Sequence, residues 1–225
     1  MTATIGWLGV AIAFVLALAG LAAPAALSGR QSARSFRLGA LAVGGQLVLV
    51  TAAALALVYA LVTADFSLRY VAENVSLRTS LYYRVTGLWA ALEGSLLLWE
   101  WMLMALAGLV AWQYRARHPE LMPWVLAVFS AVSAFFLGVL AFAASPFERL
   151  WPIPPDGRGL NPLLEDADMF THPPLLYAGF VGLTVPYAFA MAALVTARLD
   201  DGWVATIRKW TIAAWLFLTL GNLFG

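Results

Sequence analysis

Five side chains are chemically out of keeping with their surroundings: His172, Glu93, Glu100, Arg149 and Arg158. His172 sits between Thr171 and two prolines at the start of a long apolar run, in the stretch THPPLLYAGF. Pro173 disfavours helical backbone at His172, whereas Pro174 suits the first turn of the helix that follows. The ring is therefore expected just outside a helix N-terminus, where the positive end of the helix dipole disfavours an imidazolium and leaves a nitrogen lone pair available. A neutral imidazole is the axial ligand taken by haem iron and other borderline metals. The same ring could instead cap the helix or bond a loop carbonyl. No HxxH or HxxE spacing surrounds it, so a metal centre held by this chain alone is not expected.

Glu93 and Glu100 are seven residues apart in LWAALEGSLLLWEWML, which puts both on nearly the same helical face. An acid about 9 Å below a helix start is costly in a membrane unless it is protonated, paired or faces a wet interior, so Glu100 is a functional candidate. The alternative is an interfacial carboxylate flanked by Trp99 and Trp101. Arg149 and Arg158 share the loop that leads to His172 and could grip carboxylates, haem propionates included, or pair with Glu148 and Asp156. The other histidine, His118, reads as a solvated helix-end residue.

The elements that must position these groups are membrane helices. Of 225 residues, 63% are hydrophobic and 11% charged, and mean hydropathy is +0.84. These values lie outside the range of soluble domains. A bilayer core takes about 20 apolar helical residues. Runs at 4–27, 38–64, 94–114, 121–144 and 174–197 meet that length, and a sixth from Trp210 stops at Gly225. The expected fold is an all-α polytopic membrane protein with about six spans, the last cut short, forming one helical domain over 1–225. The first run lacks a preceding Lys or Arg and is long for a signal core, so it is expected to be a retained span.

The first, third and fifth loops hold 3, 2 and 3 Lys or Arg, against 3 and 2 in the much longer second and fourth. This bias puts the N-terminus outside and the acidic loops at 65–93 and 145–173 on the outer face. Trp7, Trp89, Trp99 and Trp101 then fall near outer ends, and Trp112, Trp124 and Trp210 near inner ends, as an interfacial belt. The 145–173 loop contains six prolines, with a seventh just after it at Pro174, and is expected to be a shaped surface. A net charge of +1 without a basic block gives no nucleic-acid footprint. With no cysteine, any thiol chemistry belongs to a partner.

The segments EGSLLLW, NPLLED, HPPLLY and LTLGNLFG, in this order and spacing, resemble the CcmF family, the cytochrome c haem lyase subunits of the haem-handling membrane proteins. The resemblance implies that His172 matches the first of two external histidines that bind incoming haem as axial ligands. It assigns no firm role to Asp156, Gly157, Arg158, Asn161, Pro162, Glu93, Gly94 or Ser95. The family's tryptophan-rich external segment, second external histidine and two intramembrane histidines for a separate b-type haem are not found in these residues. The chain is thus expected to be the N-terminal part of a larger lyase, with the b-type haem held elsewhere.

The implied function is acceptance of haem on the periplasmic face of a bacterial inner membrane and its presentation to an apocytochrome c CxxCH motif. The implied partners are a haem chaperone, the apocytochrome, other maturation subunits and the lipid bilayer. Residue chemistry alone leaves an alternative open: a non-enzymatic scaffold or transporter segment with a polar path through Glu93 and Glu100.

Overall fold

The computed structural model describes residues 1–26, 32–198 and 202–225. Leu27 at the expected end of the first span and Arg30 in the charge count lie outside the described residues. The expected all-helical membrane architecture is what the chain adopts. α1 (Thr2–Ala26) and α2 (Ser32–Val62) are followed by two short helices, α3 (Arg69–Asn74) and α4 (Leu81–Thr86). Next come α5 (Leu92–Tyr114), α6 (Met122–Phe142), α7 (His172–Gly182), α8 (Thr184–Val195) and α9 (Gly202–Leu223). Among the described residues five segments are long and apolar enough to cross a membrane: α1, α2, α5, α6 and a composite of residues 167–196.

Three differences from the sequence-based expectation have physical causes. The fifth span is two helices meeting at Leu183, because Pro186 has no N–H to offer the Gly182 carbonyl four residues earlier. α2 and α9 begin well before their apolar runs, at Ser32 and Gly202. Hydropathy finds the lipid-facing part of a helix, whereas Arg34, Arg37, Arg208 and Lys209 lengthen it as good helix formers. The 65–93 loop also contains α3, α4 and a 3₁₀ turn at Gly87–Trp89.

α1 packs on α2 and α6, α2 on α5, α6 on α8, and α7 on α9, so α1 and α9 lie at opposite edges of the bundle. One core, with Leu57, Leu61, Leu97 and Leu137, lies toward the end that carries His172. A second, with Tyr114, Met122, Phe129 and Phe189, lies toward the other end. Lipid tails are as apolar as leucine, so close packing and polar ties between helices must supply the cohesion. Several tryptophans serve as such ties: Trp101 Nε1 donates to Thr51 Oγ1 at 3.0 Å, and Trp210 Nε1 donates to the Tyr114 hydroxyl at 3.0 Å.

At the His172 end the two long loops form one cap. Arg69 N donates to the Glu148 carbonyl at 2.9 Å, and Leu150 N to the Ser67 carbonyl at 2.9 Å. Arg158 N donates to the Ala72 carbonyl at 2.7 Å, and Leu77 N to Asp156 Oδ1 at 2.8 Å. The close approach of residue 157 to α3 admits only glycine, since a Cβ there would overlap the Val75 carbonyl oxygen. Replacing Gly157 by Ala should therefore cost about 1–3 kcal/mol. Gly44, with open space around its Cβ position, should tolerate the same change or gain stability. Thermal unfolding of the two purified variants in detergent measures the difference.

Candidate functional site

His172 is the first residue of α7, and its ring is part-buried against α9. Nδ1 lies 2.7 Å from the carbonyl oxygen of Gly221. A carbonyl only accepts, so Nδ1 carries the hydrogen, and in a neutral ring the lone pair is then on Nε2. A hydrogen bond from the other ring nitrogen is how metal-binding histidines are commonly oriented. The backbone at Gly225 also passes close over the ring, where a Cβ would collide with it.

The contact depends on how tightly α7 and α9 approach. A Cβ on Gly221 would lie 2.7 Å from Leu176 Cδ2 and 2.9 Å from Leu176 N. A Cβ on Gly182 would lie 2.9 Å from that of Ala214. Small residues on each helix thus receive side chains of the other, and the last turn of α9 reaches the imidazole.

A chain of hydrogen bonds from α5 holds the approach to His172. Ser95 Oγ donates to the Trp89 carbonyl at 3.1 Å, and the Tyr177 hydroxyl donates to Ser95 Oγ at 3.1 Å. Trp89 Nε1 donates to the Met169 carbonyl at 2.8 Å, and Phe170 stacks on Tyr82 with ring centroids 5.6 Å apart. The EGSLLLW and HPPLLY segments therefore meet at one joint, which sequence spacing could not reveal. Asp166 Oδ1 accepts from Asp168 N at 2.8 Å and tightens the turn before the histidine. Beneath the joint, the buried Tyr70 hydroxyl donates to the Gly87 carbonyl at 2.8 Å. Burial pushes this phenol above its usual range, so it remains a donor at ordinary pH.

The remaining candidates are dispersed. Arg149 Nη2 donates to Thr4 Oγ1 at 2.9 Å, on the α1 side of the cap, while His172 lies on the α9 side. Arg158 is exposed and joins the cap through its backbone. The alternative pairings did not form: Glu148 pairs with Arg69 at 3.0 Å, and Asp156 accepts from the Leu77 and Gly157 backbones. Glu93 lines a polar cavity of about 190 Å³ with Arg69, Tyr70, Glu73 and Glu148. Glu100 is fully buried between helices and is no interfacial carboxylate. His118 is also more than a solvated helix end, since its Nε2 lies 2.9 Å from Thr206 Oγ1 on α9. Among the described residues no cluster of three His, Asp or Glu could hold a metal ion.

Helical spans, a loop cap and an oriented imidazole at the capped end define a multi-pass membrane protein with one candidate axial ligand there, and comparison with known proteins identifies its family. The chain belongs to the cytochrome c assembly protein family, whose model matches residues 89–225. It is 38% identical over 226 residues to the cytochrome c-type biogenesis protein CcmF of Pseudomonas aeruginosa, covering 100% of this chain and 34% of that protein. It is 45% identical over 178 residues to CcmF of Escherichia coli K12, covering 78% of this chain and 27% of that one. A solved structure of the cytochrome c haem lyase CcmF superposes with a TM-score of 0.85 at 40% identity, covering 98% of this chain and 35% of that chain. The chain thus spans about a quarter to a third of the length of these relatives.

Replacing Trp89 by Phe removes the donor to Met169 and keeps an aromatic ring edge-on to Phe170. Amide hydrogen exchange at residues 169–172 should speed up about tenfold, consistent with one lost hydrogen bond. Exchange within α1 should stay as it was.

Proposed function

We propose that this chain is the haem-receiving part of a cytochrome c haem lyase, with His172 as one axial ligand to substrate haem. The observation that carries the reading is the bond from His172 Nδ1 to the Gly221 carbonyl, which leaves Nε2 as the nitrogen with a lone pair. The comparisons support it, since the similar proteins are named for cytochrome c-type biogenesis and one for haem lyase activity. In this reading the N-terminus and the capped end face the periplasm, in line with the distribution of Lys and Arg.

Haem then arrives from a haem chaperone and is met by an apocytochrome c with a CxxCH motif. The partner's thiols add across the haem vinyl groups, which fits a chain without cysteine. The work of this chain is positioning: it holds iron from one side and shapes the surface beside it, while other maturation subunits and further parts of the lyase complete the site. Arg149 and Arg158 are proposed contacts to haem propionates or to acidic partner residues. A b-type haem would need ligands outside these residues.

Replacing His172 by Ala in the full-length lyase should lower haem recovered with the protein, and holocytochrome c yield, by about tenfold or more. The haem-stained cytochrome and the Soret absorbance of the purified complex measure both. Wild-type levels of haem and holocytochrome would overturn the assignment.

A further inference from the structure

Among the described residues five buried side-chain polar atoms have no hydrogen-bond partner, and four of them fall on one line. These are Ser35 Oγ and Gln46 Nε2 on α2, Ser130 Oγ on α6 and Glu100 Oε2 on α5. Ser35 and Gln46 are eleven residues apart, three turns or about 16 Å, and share a helical face. Ser130 lies between them: a Cβ on Gly20 of α1 would sit 2.5 Å from Ser130 Oγ and 3.2 Å from the Ala42 side chain, one turn below Gln46.

Ser35 opens the line at the end of the bundle opposite His172. There it lines a cavity of about 220 Å³ with Ser32, Pro123 and Thr196. At the far end Ser133 Oγ lies 2.7 Å from Gln46 Oε1 and 2.5 Å from Glu100 Oε1, all three residues fully buried. With the Gln46 amide oriented so that its oxygen faces Ser133, the single hydroxyl hydrogen of Ser133 stands between two acceptor oxygens, and a second hydrogen is needed. A Glu100 carboxylic acid supplies it, donating to Ser133, which donates to Gln46. No cation pairs with Glu100 among the described residues.

Each unpartnered buried polar atom is costly unless water completes it. Gln46 Nε2 is a donor and Glu100 Oε2 an acceptor, and both are groups that buried water completes. We propose that Ser35, Ser130, Ser133 and Gln46 line a water-filled seam that carries protons between the cavity opposite His172 and a proton-binding site at Glu100. Leu126, whose side chain would lie 3.4 Å from a Cβ added at Gly39, is the narrow apolar step of the seam between Ser35 and Ser130. In the transfer a hydronium ion at the cavity gives up one proton, each O–H bond formed along the chain is matched by one broken, and the Glu100 carboxylate becomes a carboxylic acid. No electron moves, and the reverse sequence returns the proton. Glu93 is not on this seam, since it opens into the cavity at the His172 end. The seam stands independently of the haem-ligand reading.

Infrared spectroscopy of the full-length protein in lipid, transferred into D₂O, tests the proposal. A carboxylic C=O band should be present, should shift on deuteration, and should vanish in Glu100→Gln. Ser130→Val and Ser35→Val, two separate plugs, should each slow the shift by about tenfold or more and leave the band in place. Three outcomes would overturn the seam: no Glu100-dependent band in the wild type, exchange at the wild-type rate in both folded plug variants, or exchange slowed by Glu93→Gln instead.

Discussion

The account depends on the hydrogen bond between His172 Nδ1 and the Gly221 carbonyl. A free imidazole at a helix start can turn and exchange tautomers, and either nitrogen can present a lone pair. Bound to a backbone acceptor, the ring keeps one orientation and one donor. The acceptor lies in the last described turn of α9, so the bond ties the start of α7 to α9 and gives α7 an oriented side chain.

Two features of the packing hold donor and acceptor together. Glycines on α7 and α9 let the helices approach until the side chains of one fill the spaces of the other. The cap made by the two long loops fixes the residues just before His172, through the joint of Trp89, Ser95, Tyr177 and Phe170. In a membrane, where burial against lipid gives little net drive, such polar ties set the register of the helices. The same reasoning makes the unpartnered atoms around Glu100 informative, because a structural polar cluster would be satisfied within itself.

Much of this architecture was legible in the sequence. Apolar run length located the helical crossings, and the pair of prolines marked the start of α7 to within a residue, since His172 is its first residue and not just outside it. The family resemblance, carried by four short segments, agrees with the family membership found by comparison. Hydropathy missed the break at Leu183, which depends on one proline, and the early starts of α2 and α9, where charged residues continue a helix beyond the lipid. Sequence also could not tell which groups meet. Arg149 and Arg158 share the loop of His172, yet the first is held beside α1 and the second enters the cap by its backbone. The sequence puts Glu100 at moderate depth but does not show that it joins a cluster with Ser133 and Gln46, distant in sequence.

The tautomer of His172 in the absence of haem is the most direct test of the central claim. Nitrogen-15 NMR of protein labelled in the histidine side chains distinguishes a protonated ring nitrogen from one with a lone pair. The bond to Gly221 requires the hydrogen on Nδ1 and a free lone pair on Nε2, with the Nε2 signal the one displaced when haem is added. A ring with its hydrogen on Nε2, or a displacement at Nδ1, would contradict the account.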